Sequence, residues 1–299
     1  MSVMNQDGIL NISLLEGQAR AILTESTQTV QRAKEIHGLT KLATAALGRT
    51  LTATGMLGSM LKGRDESVTA TIRGGGPIGT VLAVSGSDCC VKGYVDNPAV
   101  DLPRIGPKLP VGAAVGREGR LSVIKDLRLR EPYVDQVNLV SGEIAEDFAM
   151  YFTASEQTPS LVSLGVLVSD EKVEAAGGLI VQLMPGASEA AIRSIEASAG
   201  MFTDISGTMK AYHLDGAVDQ LLAHLQPEVL ERREIRYTCD CSRERVERAL
   251  ITLGAEELSD MIRTQYGAKV DCHFCNKRYE FSEEELKTLL AAATVREGK

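Results

Sequence analysis

Apolar residues recur along the first 180 or so positions with two different periods. "QARAILTEST" (18–27) alternates apolar and polar, which predicts a strand. From "TVQRAKEIHGL" through "TKLATAALGRTLTATGMLGSMLK" the Ala, Leu and Met spacing is helical, and "GRDES" (63–67) ends it. "VTATIR", "GTVLAVSG", "CCVKGYVDN", "RLSVIKDL" and "VDQVNLV" are short β-rich runs separated by Gly, Pro, Asn or Asp. A second helix fits 142–157, with Ser141 as its N-cap, and "SLVSLGVLVS" and "GGLIVQLMP" return to strand. Strands interspersed with helices, hairpins included, predict an α+β fold and not a strict βαβ alternation.

Pro185-Gly186 closes this pattern. The following "SEAAIRSIEASAGMFTDISGTMKAYHLDGAVDQLLAHLQPE" reads as purely helical. Val218, Leu221, Leu222 and Leu225 fall at i, i+3, i+4 and i+7, forming one apolar face. Short helices of this kind need a surface to pack on. The expected organisation is an N-terminal mixed α/β domain (1–184), a helical linker docked on its neighbours (185–236) and a small C-terminal metal-binding domain (237–299).

Composition adds boundaries. The 299 residues are 44% hydrophobic and 24% charged, within the globular range, and aromatic residues make up 4%. A net charge of −8 argues against a general nucleic-acid binder. From residue 232 onward there are 13 basic and 13 acidic residues, so the acidity belongs to the part before it. "MSVMNQDGILNISLLEG" has no basic flank and no long apolar run, unlike a signal peptide. No run approaches the 18 or so apolar residues of a membrane span. A cytoplasmic location is the default expectation, and six cysteines there are reduced, metal-bound or redox-active more often than structurally bridged.

Four of the six cysteines fall in the last region, as "TCDC" (Cys239, Cys241) and "CHFC" (Cys272, Cys275). Two close pairs of thiolates suit tetrahedral Zn²⁺. Cysteines two apart on an extended stretch point to the same side. A C-x-x-C knuckle does likewise, its turn leaving backbone N–H groups to stabilise thiolates. The intervening "SRERVERALITLGAEELSDMIRTQYGA" reads as helix, break, helix, which could fold the chain back. His273 lies between the second pair, and its neighbours are better placed as ligands. A region of this size with few large apolar side chains needs a metal, worth roughly 10–16 kcal/mol, to fold. Both pairs are also close enough to oxidise, C-x-C as a strained ring and C-x-x-C as a common one, so the second pair should go first. Spacing alone leaves a purely structural site and a switch both open.

Other candidates carry less. "IRGGGPIGT" (72–80) is Gly-rich but lacks a following Lys-Ser/Thr and reads as a hairpin turn. Cys89 and Cys90 sit in a strand-like run, facing opposite sides as free thiols. His37, His213 and His224 have no catalytic partner at a telling offset. Glu143, Glu146 and Asp147 read as a solvated helix face, and "RERVER" as helix surface. No nucleophile–base constellation emerges.

With these residues assembled, the chain resembles the redox-regulated 33-kDa heat-shock chaperone family, the 33-kDa chaperonins. The resemblance spans essentially the whole length. It rests on "TCDC" plus "CHFC" and on "TIRGGGPIGTVLAVS", "GYVDNP", "SGEIAEDFAMYFTASEQTPS", "LGVLV" and "GGLIVQLMPGA". It implies that Cys239, Cys241, Cys272 and Cys275 are zinc ligands and redox sensors, with one Zn²⁺ per chain in the reduced, inactive form. It further implies Cys239–Cys241 and Cys272–Cys275 disulfides on oxidation, zinc loss and unfolding of the tail. The active form would be a homodimer that holds unfolding client proteins without ATP. Two other classes stay in view: an enzyme in the α+β domain with a structural zinc tail, and a zinc-dependent nucleic-acid binder, which the neutral tail and acidic body disfavour.

Overall fold

The structure is a computed structural model that describes residues 7–104, 106 and 108–297. The first six residues, part of the stretch read as lacking a leader, and the last two lie outside the described residues. Two compact units divide at residue 239, Met1–Thr238 and Cys239–Lys299.

The first unit opens with a hairpin, β1 (Gly8–Leu14) and β2 (Ala19–Glu25), followed by α1 (Thr27–His37) and α2 (Lys41–Ser59). The helical pattern predicted from 29 onward is thus broken: Gly38 takes a left-handed conformation (φ 60°) that ends α1, and the Thr40 side chain caps α2 by accepting from Ala43 N–H. Next come β3 (Ser67–Arg73), β4 (Thr80–Gly86), β5 (Cys90–Val95), the short α3 (Val111–Val115), β6 (Arg120–Asp126) and β7 (Tyr133–Asn138). The unit continues with α4 (Ala145–Ala154), β8 (Ser160–Val168), β9 (Val173–Leu183), α5 (Glu189–Ser198), α6 (Ile205–Leu222), β10 (Glu228–Glu234) and β11 (Arg236–Tyr237).

These strands form two sheets, in the orders β10-β1-β2-β9-β8 and β11-β5-β4-β3-β6-β7. Every pairing is antiparallel except the two-residue pairing of β11 with β5, so the fold is α+β. Helix α2 packs on β8 and β9 of one sheet and on β4 and β5 of the other. Its sequence allows this, being apolar or small all round, with every residue from Leu42 to Ser59 buried except Arg49. Buried Thr50, Thr52 and Thr54 satisfy their hydroxyls on the carbonyls four residues back. Gly55 lets the chain between β10 and β11 approach closely: a Cβ there would lie 2.5 Å from Ile235 Cδ1.

The five-stranded sheet is apolar on both faces. Ile9, Ile22 and Ile180 face α1 and α2. On the other face Leu10, Leu23 and Leu179 lie in register across β1, β2 and β9, under Ile205, Met209, Leu214, Val218, Leu221 and Leu222 of α6. The apolar face read at Val218, Leu221, Leu222 and Leu225 is buried on this sheet. The stretch 185–236 is not helical throughout, because its last part forms β10 along the edge of β1 and then β11.

Ser141 does not cap the helix after it, which starts later, at Ala145. Buried Asp147 gathers the N–H groups of Val140, Ser141 and Ile144, at 2.8, 3.2 and 2.9 Å, so this carboxylate is not on a solvated face. Glu143 pairs with Arg49 at 2.7 Å, and Glu146 is exposed.

The second unit runs α7 (Arg243–Thr252), α8 (Ala255–Gln265), β12 (Gly267–Asp271), β13 (Arg278–Ser282) and α9 (Glu283–Glu297), with β12 and β13 an antiparallel hairpin. The predicted helix, break, helix holds, with Gly254 (φ 98°) at the break. Its core is small: Leu250, Leu258, Ala268, Tyr279, Phe281, Leu286 and Ala293. Among the described residues no helix is long and apolar enough to cross a membrane.

Candidate metal centre

Alternation along β12 and β13 sends Ala268, Tyr279 and Phe281 inward, and cross-strand pairing sets Ala268 against Phe281 and Val270 against Tyr279. Arg278 and Asp271 close the hairpin mouth with a bidentate pair of 2.7 and 2.8 Å. The hairpin connection is the C-x-x-C knuckle. Cys275 and Asn276 donate their N–H groups to Cys272 carbonyl, and Asn276 adopts φ 57°. These two amides are therefore engaged in the turn itself and not left for the sulfurs. The amides that reach the thiols are those of Lys277, on Cys275, and of Cys241, on Cys239. Upstream, Ser242 caps α7 by accepting from Arg245 N–H, which fixes where the helix starts and leaves Cys239 to Cys241 extended before it.

These elements bring all four sulfurs within 4.8 Å of one another. Cys239 Sγ lies 3.6 Å from Cys272 Sγ, and Cys241 Sγ 3.4 Å from Cys275 Sγ. Tetrahedral coordination with metal–sulfur bonds near 2.3 Å spaces sulfurs about 3.8 Å apart. The four thiols therefore fit a metal ion without rearrangement. Among the described residues no other set of three or more His, Cys, Asp or Glu side chains converges in this way. His273 is exposed and outside the cluster.

The protons on the four sulfurs are unevenly held. Burial and proton sharing with the neighbouring sulfurs push Cys239 well above the ordinary thiol range, and burial also raises Cys275. Burial raises Cys241 too, but hydrogen bonds from Tyr279 and the adjacent thiols outweigh it and bring that thiol down to about 7. Tyr279 Oη donates to Cys241 Sγ at 3.2 Å. Spacing did not disclose Tyr279; the available signal was its place as the second residue of an inward-alternating strand beside the knuckle. Arg243 lies over the Phe281 ring at 4.2 Å and also pairs with Glu285, tying α7 to β13 and α9.

The remaining candidates lie in the first unit and do not join into a site. Cys89 occupies a turn (φ 58°) and not a strand, and burial lifts its thiol to about 11. Cys90 begins β5, half-exposed, and burial together with Asp88 raises it as well. Both are poor nucleophiles on that account. His37 meets Tyr237 Oη at 3.0 Å, and His224 Nε2 meets Ser198 Oγ at 2.6 Å. His213 contacts Glu25. "IRGGGPIGT" connects β3 to β4 as a hairpin.

An α+β body with a four-cysteine C-terminal unit defines a class that comparison with known proteins resolves. Residues 7–282 match the family model described as Hsp33 protein. A 33 kDa chaperonin of Clostridioides difficile is 47% identical over 287 residues, covering 95% of this chain and 99% of that protein. One from Acetivibrio thermocellus is 46% identical over 95% of this chain and 97% of its own length. The crystal structure of the 33 kDa chaperonin (heat shock protein 33 homolog) from Thermotoga maritima superposes with a TM-score of 0.86 at 39% identity, covering 97% of this chain and 99% of that one. The chain belongs to the Hsp33 family, a family of molecular chaperones.

Proposed function

We propose that this chain is a redox-controlled, ATP-independent holdase whose four-cysteine centre keeps it inactive while reduced. The observation that carries the proposal is the convergence of Cys239, Cys241, Cys272 and Cys275 in a unit with too small a core to fold without help. In the reduced state these thiolates hold one Zn²⁺, which supplies folding energy to residues 239–299. No catalytic group is assigned to any residue; the protein acts by binding and is not an enzyme.

Peroxide or hypochlorite oxidises the cysteines in pairs, Cys239 with Cys241 and Cys272 with Cys275. For peroxide, each thiolate pair gives up two electrons, one S–S bond forms, the O–O bond breaks, and the peroxide takes up two protons from solvent and leaves as two waters. Sulfurs in disulfides no longer carry the charge that holds a cation, so the site loses its ligands and its unit melts. The chain enters Cys239 directly from β11, which two residue pairs hold to β5. Melting there weakens the stretch 185–236 as a whole, and its helices leave the Leu10, Leu23 and Leu179 face. That face, buried in the closed form, is apolar enough to hold partly unfolded clients. Zinc as the ion, the disulfide pairs, the division at 185 and 237, activity as a homodimer and a cytoplasmic location all belong to this reading.

The test combines three readouts on the reduced, zinc-loaded protein treated with peroxide and mild heat: zinc release, thiol mapping and suppression of a client's thermal aggregation. Zinc loss together with a large gain in suppression is expected. Zinc loss with suppression no better than that of the reduced form would overturn the proposal.

A further inference from the structure

Helix α6 is broken at His213, whose φ of 53° and ψ of −173° belong to a region that residues with a Cβ rarely occupy. Both sides of the break are tied to one carboxylate. Leu214 N–H donates to Glu25 Oε2 at 2.9 Å, and His213 Nδ1 lies 3.0 Å from Glu25 Oε1. Glu25 ends β2 and is 5% exposed; Leu214 is 3% exposed. After the break the helix resumes from Leu214 to Leu222, and its buried residues Leu214, Ala217, Val218, Leu221 and Leu222 cover the Leu10 and Leu23 face. A helix start leaves unpaired N–H groups and a positive dipole end, and Glu25 meets both from a neighbouring strand. A cavity of about 450 Å³ reaches the break, lined by Asp7, Glu25, Lys172, Glu174, Lys210 and His213 among others.

We propose that Glu25 is a latch holding the second half of α6 on the sheet, with His213 as the hinge at which that half opens. Closing the latch satisfies Leu214 N–H and keeps His213 strained; opening it relieves the strain and hydrates the amide. The latch itself stands on this geometry alone. Its consequence for activity, release of the apolar face without any change at the cysteines, rests on the holdase reading above.

The test uses full-length, reduced, zinc-loaded protein carrying Glu25→Gln or Glu25→Ala. Hydrogen exchange is followed by mass spectrometry in peptides covering 214–222, 19–25 and 173–183, with zinc retention measured alongside. Glu25→Ala leaves a buried amide unpaired and should speed exchange at 214–222 on the order of ten- to a hundredfold. Glu25→Gln keeps the shape and loses the charge, and should speed it about two- to fivefold. In both, strands 19–25 and 173–183 should stay protected and zinc should stay bound. Unchanged protection at 214–222 in both variants overturns the latch. So does a parallel loss of protection in the two strands, which would make Glu25 a residue of the fold at large. His213→Gly and His213→Ala both lose the imidazole and differ in the Cβ, so Gly should open several-fold more slowly than Ala; equal rates overturn the hinge. If 214–222 opens with zinc retained and client aggregation is still not suppressed, the latch stands and the assignment of the covered face to clients fails.

Discussion

The first 238 residues bury apolar side chains on both faces of a five-stranded sheet, whereas residues 239–299 bury seven of them, among the described residues, beside four thiols. The two units therefore depend on different physics. Burial of Leu, Ile and Val on both sides of β1, β2 and β9 gives a stability spread over many contacts. The second unit has a small apolar core beside four thiols that could hold a metal ion, so under the proposed function a large share of its stability rests on ligation.

On the proposed function, the largest effect that separates the units is removal of the metal held by the four thiols. A strong chelator, or Cys272→Ser, should remove much of the roughly 10–16 kcal/mol that ligation supplies. Limited proteolysis should then digest residues 239–299 within minutes, cut next within 185–236, and leave a stable fragment ending near 184; an undigested tail would erase the distinction. On the scaffold side, Leu23→Ala removes a fully buried side chain from the centre of the sheet. It should cost about 2–5 kcal/mol in urea unfolding of the first unit with zinc content unchanged.

A third difference is in pH response. Burial raises the Asp7 carboxyl to about 6 from its ordinary 3.8, against opposing hydrogen bonds from Thr29 and Gln28. Its folded-state value lies above the unfolded one, so its contribution to stability is full below about 4 and is lost as pH rises through about 6. Asp7→Asn should therefore gain on the wild type between pH 4 and 7 by on the order of 2–3 kcal/mol, read from paired urea curves for the first unit. A flat difference would contradict the desolvation argument. The smallest effect returns to the thiols: Tyr279→Phe removes the donor on Cys241 and should weaken metal affinity about tenfold in a competition titration.

Much of this was legible in the sequence where the signal is local. Alternation marked β2, β3 and β4, and Cys239, Cys241, Cys272 and Cys275 stood out because an extended C-x-C and a C-x-x-C turn each place their pair locally. Features decided at long range were not legible. Strand β10, "EVLERRE", is an exposed edge with no apolar alternation, and only its pairing with β1 makes it a strand. Asp147 looked solvated because its helix turn is acidic. The backbone of 140–144, with Ile144 at φ 75°, turns back over it and needs its carboxylate as acceptor. Tyr279 needed the hairpin register, and the Glu25–His213 contact joins residues 188 apart in the chain.

The central claim is that oxidation at the cysteines uncovers a face of the first unit while leaving its sheet intact. Hydrogen exchange on the full-length protein before and after peroxide with mild heat tests it most directly. The expected result is loss of protection in 239–282 and in 205–222 together, with 19–25 and 173–183 still protected. Continued protection of 205–222 after the zinc has left and both cysteine pairs have oxidised would contradict it.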